Sequence, residues 1–168
     1  GYQSGYENTS GSNNVFIGYK AGNQNKVPSG NVFIGFASGI NNSYGGVSGD
    51  EGSVNTFIGC YSGYDNRTGY ANLFAGYSSG RYNTNGHSNV FLGDSTGFNN
   101  TTGYNNVAIG TSALLNNRGK IGSTAIGLGA MENAHNSTSN DPTYNTAVGY
   151  YALRGSSSSA NNTGTGNT

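Results

Sequence analysis

The chain is built from one short unit repeated along its length. An apolar run closes on a glycine eight times, at Gly18, Gly35, Gly59, Gly76, Gly93, Gly110, Gly127 and Gly149, and one unit further back lies Gly1. The intervals are 17, 17, 24, 17, 17, 17, 17 and 22 residues, which is a 17-residue unit carrying two insertions, near 45–52 and 136–143. A fixed period of this length specifies a solenoid of stacked coils, each of which buries its apolar face only against its neighbours. The whole of 1–168 reads as a single repeat array. It begins at the glycine position of a unit and stops at Asn167 and Thr168, the first two positions of another, so it reads as an excerpt of a longer array.

Aligned on the glycine, the units carry Asn14-Val15-Phe16-Ile17-Gly18, Asn31-Val32-Phe33-Ile34-Gly35, Asn55-Thr56-Phe57-Ile58-Gly59, Asn72-Leu73-Phe74-Ala75-Gly76 and Asn89-Val90-Phe91-Leu92-Gly93. Asn106-Val107-Ala108-Ile109-Gly110, Ser123-Thr124-Ala125-Ile126-Gly127 and Asn145-Thr146-Ala147-Val148-Gly149 follow. β-branched and aromatic runs bounded by turn formers read as strands. The expected fold is therefore all-β: a parallel β-solenoid, or β-roll, of about nine 17-residue coils. At a strand spacing of about 4.8 Å these make a rod on the order of 40 Å long.

Two columns of the alignment compensate in volume. Phe16, Phe33, Phe57, Phe74 and Phe91 are each followed six residues later by a glycine, Gly22, Gly39, Gly63, Gly80 and Gly97. Ala108, Ala125 and Ala147 are followed instead by Leu114, Met131 and Leu153. Close packing penalises both voids and excess volume, so the swap places both columns in one pocket inside the coil. The expected core is Phe16, Phe33, Phe57, Phe74, Phe91, Leu114, Met131 and Leu153.

The residues flanking the core position point the other way along a strand. They too are apolar: Val15, Ile17, Val32, Ile34, Ile58, Val90, Leu92, Val107, Ile109, Ile126 and Val148. A ladder of this kind is larger than the apolar patches that soluble monomers leave open, so it is read as a chain interface, the alternative being simple exposure. Asparagine heads most units and recurs eleven residues later, at Asn8, Asn25, Asn42, Asn66, Asn83, Asn100 and Asn117. Stacked asparagines at turns can hydrogen-bond from coil to coil.

Composition narrows the function. Only 8% of residues are charged, and the seven basic and seven acidic residues balance, so there is no basic stripe for nucleic acid. No apolar stretch approaches the ~20 residues of a membrane helix. The carboxylates Glu7, Asp50, Glu51, Asp65, Asp94, Glu132 and Asp141 occupy mostly non-equivalent positions, and His87, His135 and Cys60 are dispersed. Neither general acid–base chemistry nor a metal site is expected, and no cofactor. The glycine-rich segments lack the aspartates of calcium rolls and the Gly-Lys-Ser/Thr of phosphate loops. Asn-x-Ser/Thr triplets begin at Asn8, Asn41, Asn66, Asn99, Asn100, Asn136 and Asn161, a number that chance accounts for in so Asn- and Thr-rich a chain.

Two features are candidates for recognition. One is the set of aromatic columns outside the strand, from which Tyr19, Tyr64, Tyr70, Tyr77 and Tyr104 are read as candidate ligand contacts. The same tyrosines could instead cap the core or line a chain interface. The other is the pair of insertions, because solenoid insertions map to loops.

The stretches Asn14-Val15-Phe16-Ile17-Gly18-Tyr19-Lys20-Ala21-Gly22, Thr124-Ala125-Ile126-Gly127-Leu128-Gly129-Ala130 and Asn145-Thr146-Ala147-Val148-Gly149-Tyr150-Tyr151-Ala152-Leu153 resemble the head repeats of trimeric autotransporter adhesins. They are similar also to the repeats of tail-fibre-type surface proteins. The family's coils are usually shorter and carry Ala where five units here carry Phe. The resemblance implies a left-handed β-roll, a homotrimer and attachment at an extracellular, cell-surface or virion location, with a surface glycan or receptor as partner. The expected function is a non-catalytic structural and adhesive segment of a fibre. The alternatives are a subunit of an end-to-end extracellular filament and an ice-binding solenoid. The last would need a regular threonine array, but Thr56, Thr124 and Thr146 are interrupted by Val15, Val32, Leu73, Val90 and Val107.

Overall fold

A computed structural model describes residues 1–43, 51–134, 138–140, 142–156 and 166. They form one parallel sheet of eight strands in sequence order, with no helix: β1 Val15–Ile17, β2 Val32–Ile34, β3 Thr56–Ile58, β4 Leu73–Ala75, β5 Val90–Leu92, β6 Val107–Ile109, β7 Thr124–Ile126 and β8 Thr146–Val148. Every pair is in register on equivalent positions, Phe33 opposite Phe57 and Phe57 opposite Phe74, for example. The long intervals do not disturb this: β2 pairs with β3 across the first and β7 with β8 across the second. The Gly45 end of the first insertion, and residues 136, 137 and 141 of the second, lie outside the described residues.

Only three residues per coil are strand, yet the hydrogen-bond ladder continues round the turns. Ala37 N donates to Tyr19 O at 2.8 Å, Gly39 N to Ser62 O at 2.9 Å, Tyr82 N to Phe98 O at 3.0 Å and Ala71 N to Ser53 O at 3.1 Å. A backbone that leaves the sheet must still satisfy its polar groups, and here each coil satisfies those of the next. The glycine that ends each strand has φ between 120° and 138°. A Cβ at Gly35 or Gly59 would strike the backbone of the next coil's glycine. The glycine column is therefore set by the contact between coils as well as by the turn.

The interior is one ring thick. Phe33, Phe57, Phe74 and Phe91 are fully buried and stack with centroids 4.8–4.9 Å apart and rings nearly parallel. That distance is the strand spacing itself. Phe16 begins the stack half-buried, 5.3 Å from Phe33. A Cβ on Gly22 would lie 2.6 Å from the Phe16 ring and one on Gly39 2.7 Å from the Phe33 ring, which explains the pairing of Phe with Gly. Where Ala108 and Ala125 free that space, Leu114 and Met131 fill it and are buried. They do so in the left-handed backbone conformation of the glycines they replace, with φ of 52° and 51°. The cost of that conformation, roughly 1–2 kcal/mol, is offset by a filled pocket. Leu153 departs from the expected core: it is 45% exposed, because no described coil lies beyond it to cover it.

Beside the rings runs a buried polar spine of two asparagine columns. In one, Nδ2 of Asn42, Asn66, Asn83 and Asn100 donates to Oδ1 of the asparagine one coil earlier at 2.6–2.7 Å. The same nitrogens reach the carbonyls of Gly52, Gly69, Gly86 and Gly103 at 2.7–3.0 Å. In the other column, Oδ1 of Asn31, Asn55, Asn72 and Asn89 accepts the backbone N–H of the next coil's asparagine at 2.8–3.0 Å. The first ladder ends at Asn117, which is 3.4 Å from Asn100 and whose Oδ1 has no partner, because Ala134 takes the next place.

Two outcomes are expected. Gly97→Leu should unfold the coil against Phe91, and Phe91→Ala alone should cost about 3–5 kcal/mol. Combining them recreates the Ala108/Leu114 pairing one coil earlier, so a chemical-denaturation double-mutant cycle should show the pair more stable than either single change. Asn83→Ala, which strands Asn66 Oδ1 and one N–H of Asn100 Nδ2 in the interior while Gly86 O keeps Asn72 Nδ2, should cost on the order of 2–4 kcal/mol in the same assay. A loss within about 0.5 kcal/mol, as at an ordinary surface site, would contradict the spine.

Candidate interaction surfaces

Because the inner columns are filled, whatever the chain recognises must touch its outer columns. The strand face carries two apolar rows. Val15, Val32, Thr56, Leu73, Val90, Val107, Thr124 and Thr146 form one, and Ile17, Ile34, Ile58, Ala75, Leu92, Ile109, Ile126 and Val148 form the other. All eleven residues read as an interface lie on this face. Val15, Ile17, Ile58, Ile109, Ile126 and Val148 are exposed, and Val32, Ile34, Val90, Leu92 and Val107 are half-buried by their neighbours along the row. Threonine holds three of the eight places in the first row, so no continuous threonine array is present.

The five tyrosines fall in three places rather than one. Tyr19 and Tyr77 belong to a row beside the strand face, where Tyr2, Tyr19 and Phe36 stack at 5.6 and 5.0 Å. Cys60 sits between Phe36 and Tyr77 in that row, half-buried. Tyr70 and Tyr104 lie on another column with His87 between them, the imidazole parallel to both phenols at 4.6 and 4.5 Å. Partial burial there pushes the His87 pKa below its ordinary value by desolvating the charged form.

Tyr64 occupies the third place, at the corner where the chain turns back from the strand. It joins a group that the sequence reading missed. The Arg81 guanidinium carbon lies 4.8 Å from the Tyr61 ring centre, 5.4 Å from Tyr64, 5.5 Å from Tyr82 and 5.9 Å from Phe98. Tyr61 meets Tyr64 edge-on at 5.7 Å, and Tyr82 meets Phe98 at 5.0 Å. Arg81 Nε is buried and has no hydrogen-bond partner. One signal was available: Tyr64, Arg81 and Phe98 hold equivalent positions in successive units.

A third polar ladder was missed as well. Asn99 Nδ2 donates to Asn116 Oδ1 at 2.8 Å, Asn116 Nδ2 to Asn133 Oδ1 at 2.7 Å, and Asn41 Nδ2 to Asp65 Oδ1 at 2.7 Å. Of the glycosylation triplets, those at Asn66 and Asn100 are closed to modification in the folded chain, because both side chains are fully buried in the first spine ladder. Asn136 and Asn161 lie outside the described residues, as do His135, Asp50 and Asp141.

The remaining charges are dispersed. Glu7 pairs with Lys26 at 3.3 Å and Glu132 with Arg154 at 2.6 Å. Among the described residues no three His, Cys, Asp or Glu side chains converge, and no helix is long and apolar enough to cross a membrane. Comparison with protein-family models, with curated proteins and with solved structures finds no match to this chain.

The His87 stack has a measurable consequence. Its pKa is lower folded than unfolded, so the unfolded chain takes up the proton first as pH falls, and stability is lost between the ordinary imidazole value near 6.5 and the lowered one. Thermal melting should therefore fall more steeply from about pH 7.5 to about pH 5 in the wild type than in His87→Tyr, which keeps an aromatic stack without a titrating ring. Parallel pH profiles would contradict this.

Proposed function

We propose that this chain is a non-catalytic structural and adhesive segment of an extracellular fibre, in which left-handed rolls associate three about one axis through their strand faces. The observation that carries the reading is the continuous apolar face of β1 to β8. Its rows are in register over the whole sheet, and Ile17, Ile58 and Val148 stand open on it. Removing such a face from water yields about 25 cal/mol per Å², a reason for chains to associate. The unbroken ladder from coil to coil suits a stiff element that holds other parts at a distance.

Light scattering coupled to size exclusion tests this directly. The expected mass is three times the 17.2 kDa of one chain, and Ile58→Glu with Ile109→Glu should release folded monomers. A wild-type mass of 17.2 kDa would overturn the association.

A second reading, end-to-end assembly into a filament, has its own support. Among the described residues strand β8 is paired on one side only, with β7, and an outer edge of this kind is a template for another strand. In that case the mass would rise with concentration without a plateau, and fibres would be visible by electron microscopy.

A further inference from the structure

Arg81 is a cation without a counter-charge among the described residues. Its guanidinium forms no hydrogen bond or ion pair with any described residue, and Asp65, the carboxylate of the neighbouring column, is engaged by Asn41. The four rings around Arg81 come from successive coils and hold its guanidinium against their faces and edges. Aromatic packing of this kind covers the plane of a guanidinium but satisfies none of its N–H donors, which lie in the plane. The group is thus oriented and partly desolvated, with its fork unfilled. A planar bidentate acceptor fits such a fork, and a carboxylate is the biological group of that shape.

The surroundings say what the carboxylate would be attached to. Tyr61, Tyr64 and Tyr82 make no hydrogen bond through their phenol oxygens to any described residue, so a set of rings with free hydroxyls borders the fork. A flat ring edged by hydroxyls suits a pyranose, which has a C–H face to lay on an aromatic ring and hydroxyls for the phenols. An apolar peptide side chain gains most of its affinity by filling a pocket, which a row of rings on a corner does not supply.

We infer that Arg81, with Tyr61, Tyr64, Tyr82 and Phe98, forms a binding site for a carboxylate-bearing sugar of an acidic glycan. Arg81 takes the carboxylate in a two-pronged contact, Tyr61 and Tyr64 take the ring face, and Tyr82 and Phe98 hold the guanidinium from the other side. This rests on the adhesive reading, for which it names a ligand class. The site lies on the return segments and not on the strand face, so it does not depend on how many chains assemble.

The test is a titration of the full chain with glucuronate and with N-acetylneuraminate, with glucose and acetate as controls. It is followed by the Arg81 Nε–H resonance and by tyrosine fluorescence, which is unobscured because the chain has no tryptophan. At least one sugar acid should shift the Arg81 resonance saturably, and both controls should bind at least about tenfold more weakly. Arg81→Lys keeps the charge but loses the fork, and Tyr64→Ala loses a ring face; each should weaken binding about tenfold or more with the circular dichroism spectrum unchanged. If either variant fails to fold, the resonance shift and the control sugars decide alone. The inference is overturned by no shift at about 50 mM sugar acid, by glucose or acetate binding as tightly, or by a folded Arg81→Lys that binds as well as wild type. A failed titration beside a trimeric mass would remove this site and leave the fibre reading standing. A monomeric mass beside a successful titration would do the reverse.

Discussion

Each coil must sit on the next with no offset, and everything else in the molecule depends on that constraint. The interior holds one large side chain per pocket, a phenyl ring in the coils of β1 to β5 and Leu114 or Met131 in those of β6 and β7, so a slip of one position would set it against a strand's outward face and leave the pocket empty. Ring stacking at 4.8–4.9 Å favours the register but does not enforce it, at about 0.5–1.5 kcal/mol per pair. The asparagine columns enforce it. Each ladder bond contributes only about 1 kcal/mol net, whereas an orphaned amide in the interior costs about 1–3 kcal/mol. A misregistered coil would orphan several at once. The spine therefore acts mainly through what it forbids.

That division explains why the outer surface is free to vary. The strand-end glycines, the ring pockets and the spine asparagines occupy the positions on which stacking depends. The row beside the strand face, by contrast, runs Tyr2, Tyr19, Phe36, Cys60, Tyr77, Asp94, Thr111, Leu128, Tyr150. Residues there do not have to match their neighbours above and below. The aromatic corner around Arg81 and the stack around His87 are both local departures of this kind, built on a scaffold that tolerates them. A repeat fold thus keeps its regularity inside and its individuality outside.

The same division decides what could be read in advance. The period, the strands, the parallel stacking and the Phe/Gly exchange with Ala/Leu were legible because inner positions are chemically constrained and recur. The backbone conformation of Leu114 and Met131 was not, since nothing in their identity announces a positive φ; only equivalence with Gly97 could have suggested it. Arg81 escaped notice because its four rings come from three different columns. Which columns meet at a corner depends on the cross-section of the coil, and the period does not determine that. The Asn41–Asp65 and Asn99–Asn116 contacts were hidden for a related reason: Tyr82 interrupts their column. Leu153 was placed in the core by its column alone, although burial in a solenoid also needs a coil on each side.

The central claim is that a buried asparagine spine locks coil to coil. Hydrogen exchange of the side-chain amide protons, resolved by NMR, addresses it most directly, because an amide in the spine can exchange only when coils separate. The Nδ2 protons of Asn66, Asn83 and Asn100 should persist as long as the backbone amides of the strands, while those of the exposed Asn85 vanish at once. Exchange at Asn83 as fast as at Asn85 would contradict the account.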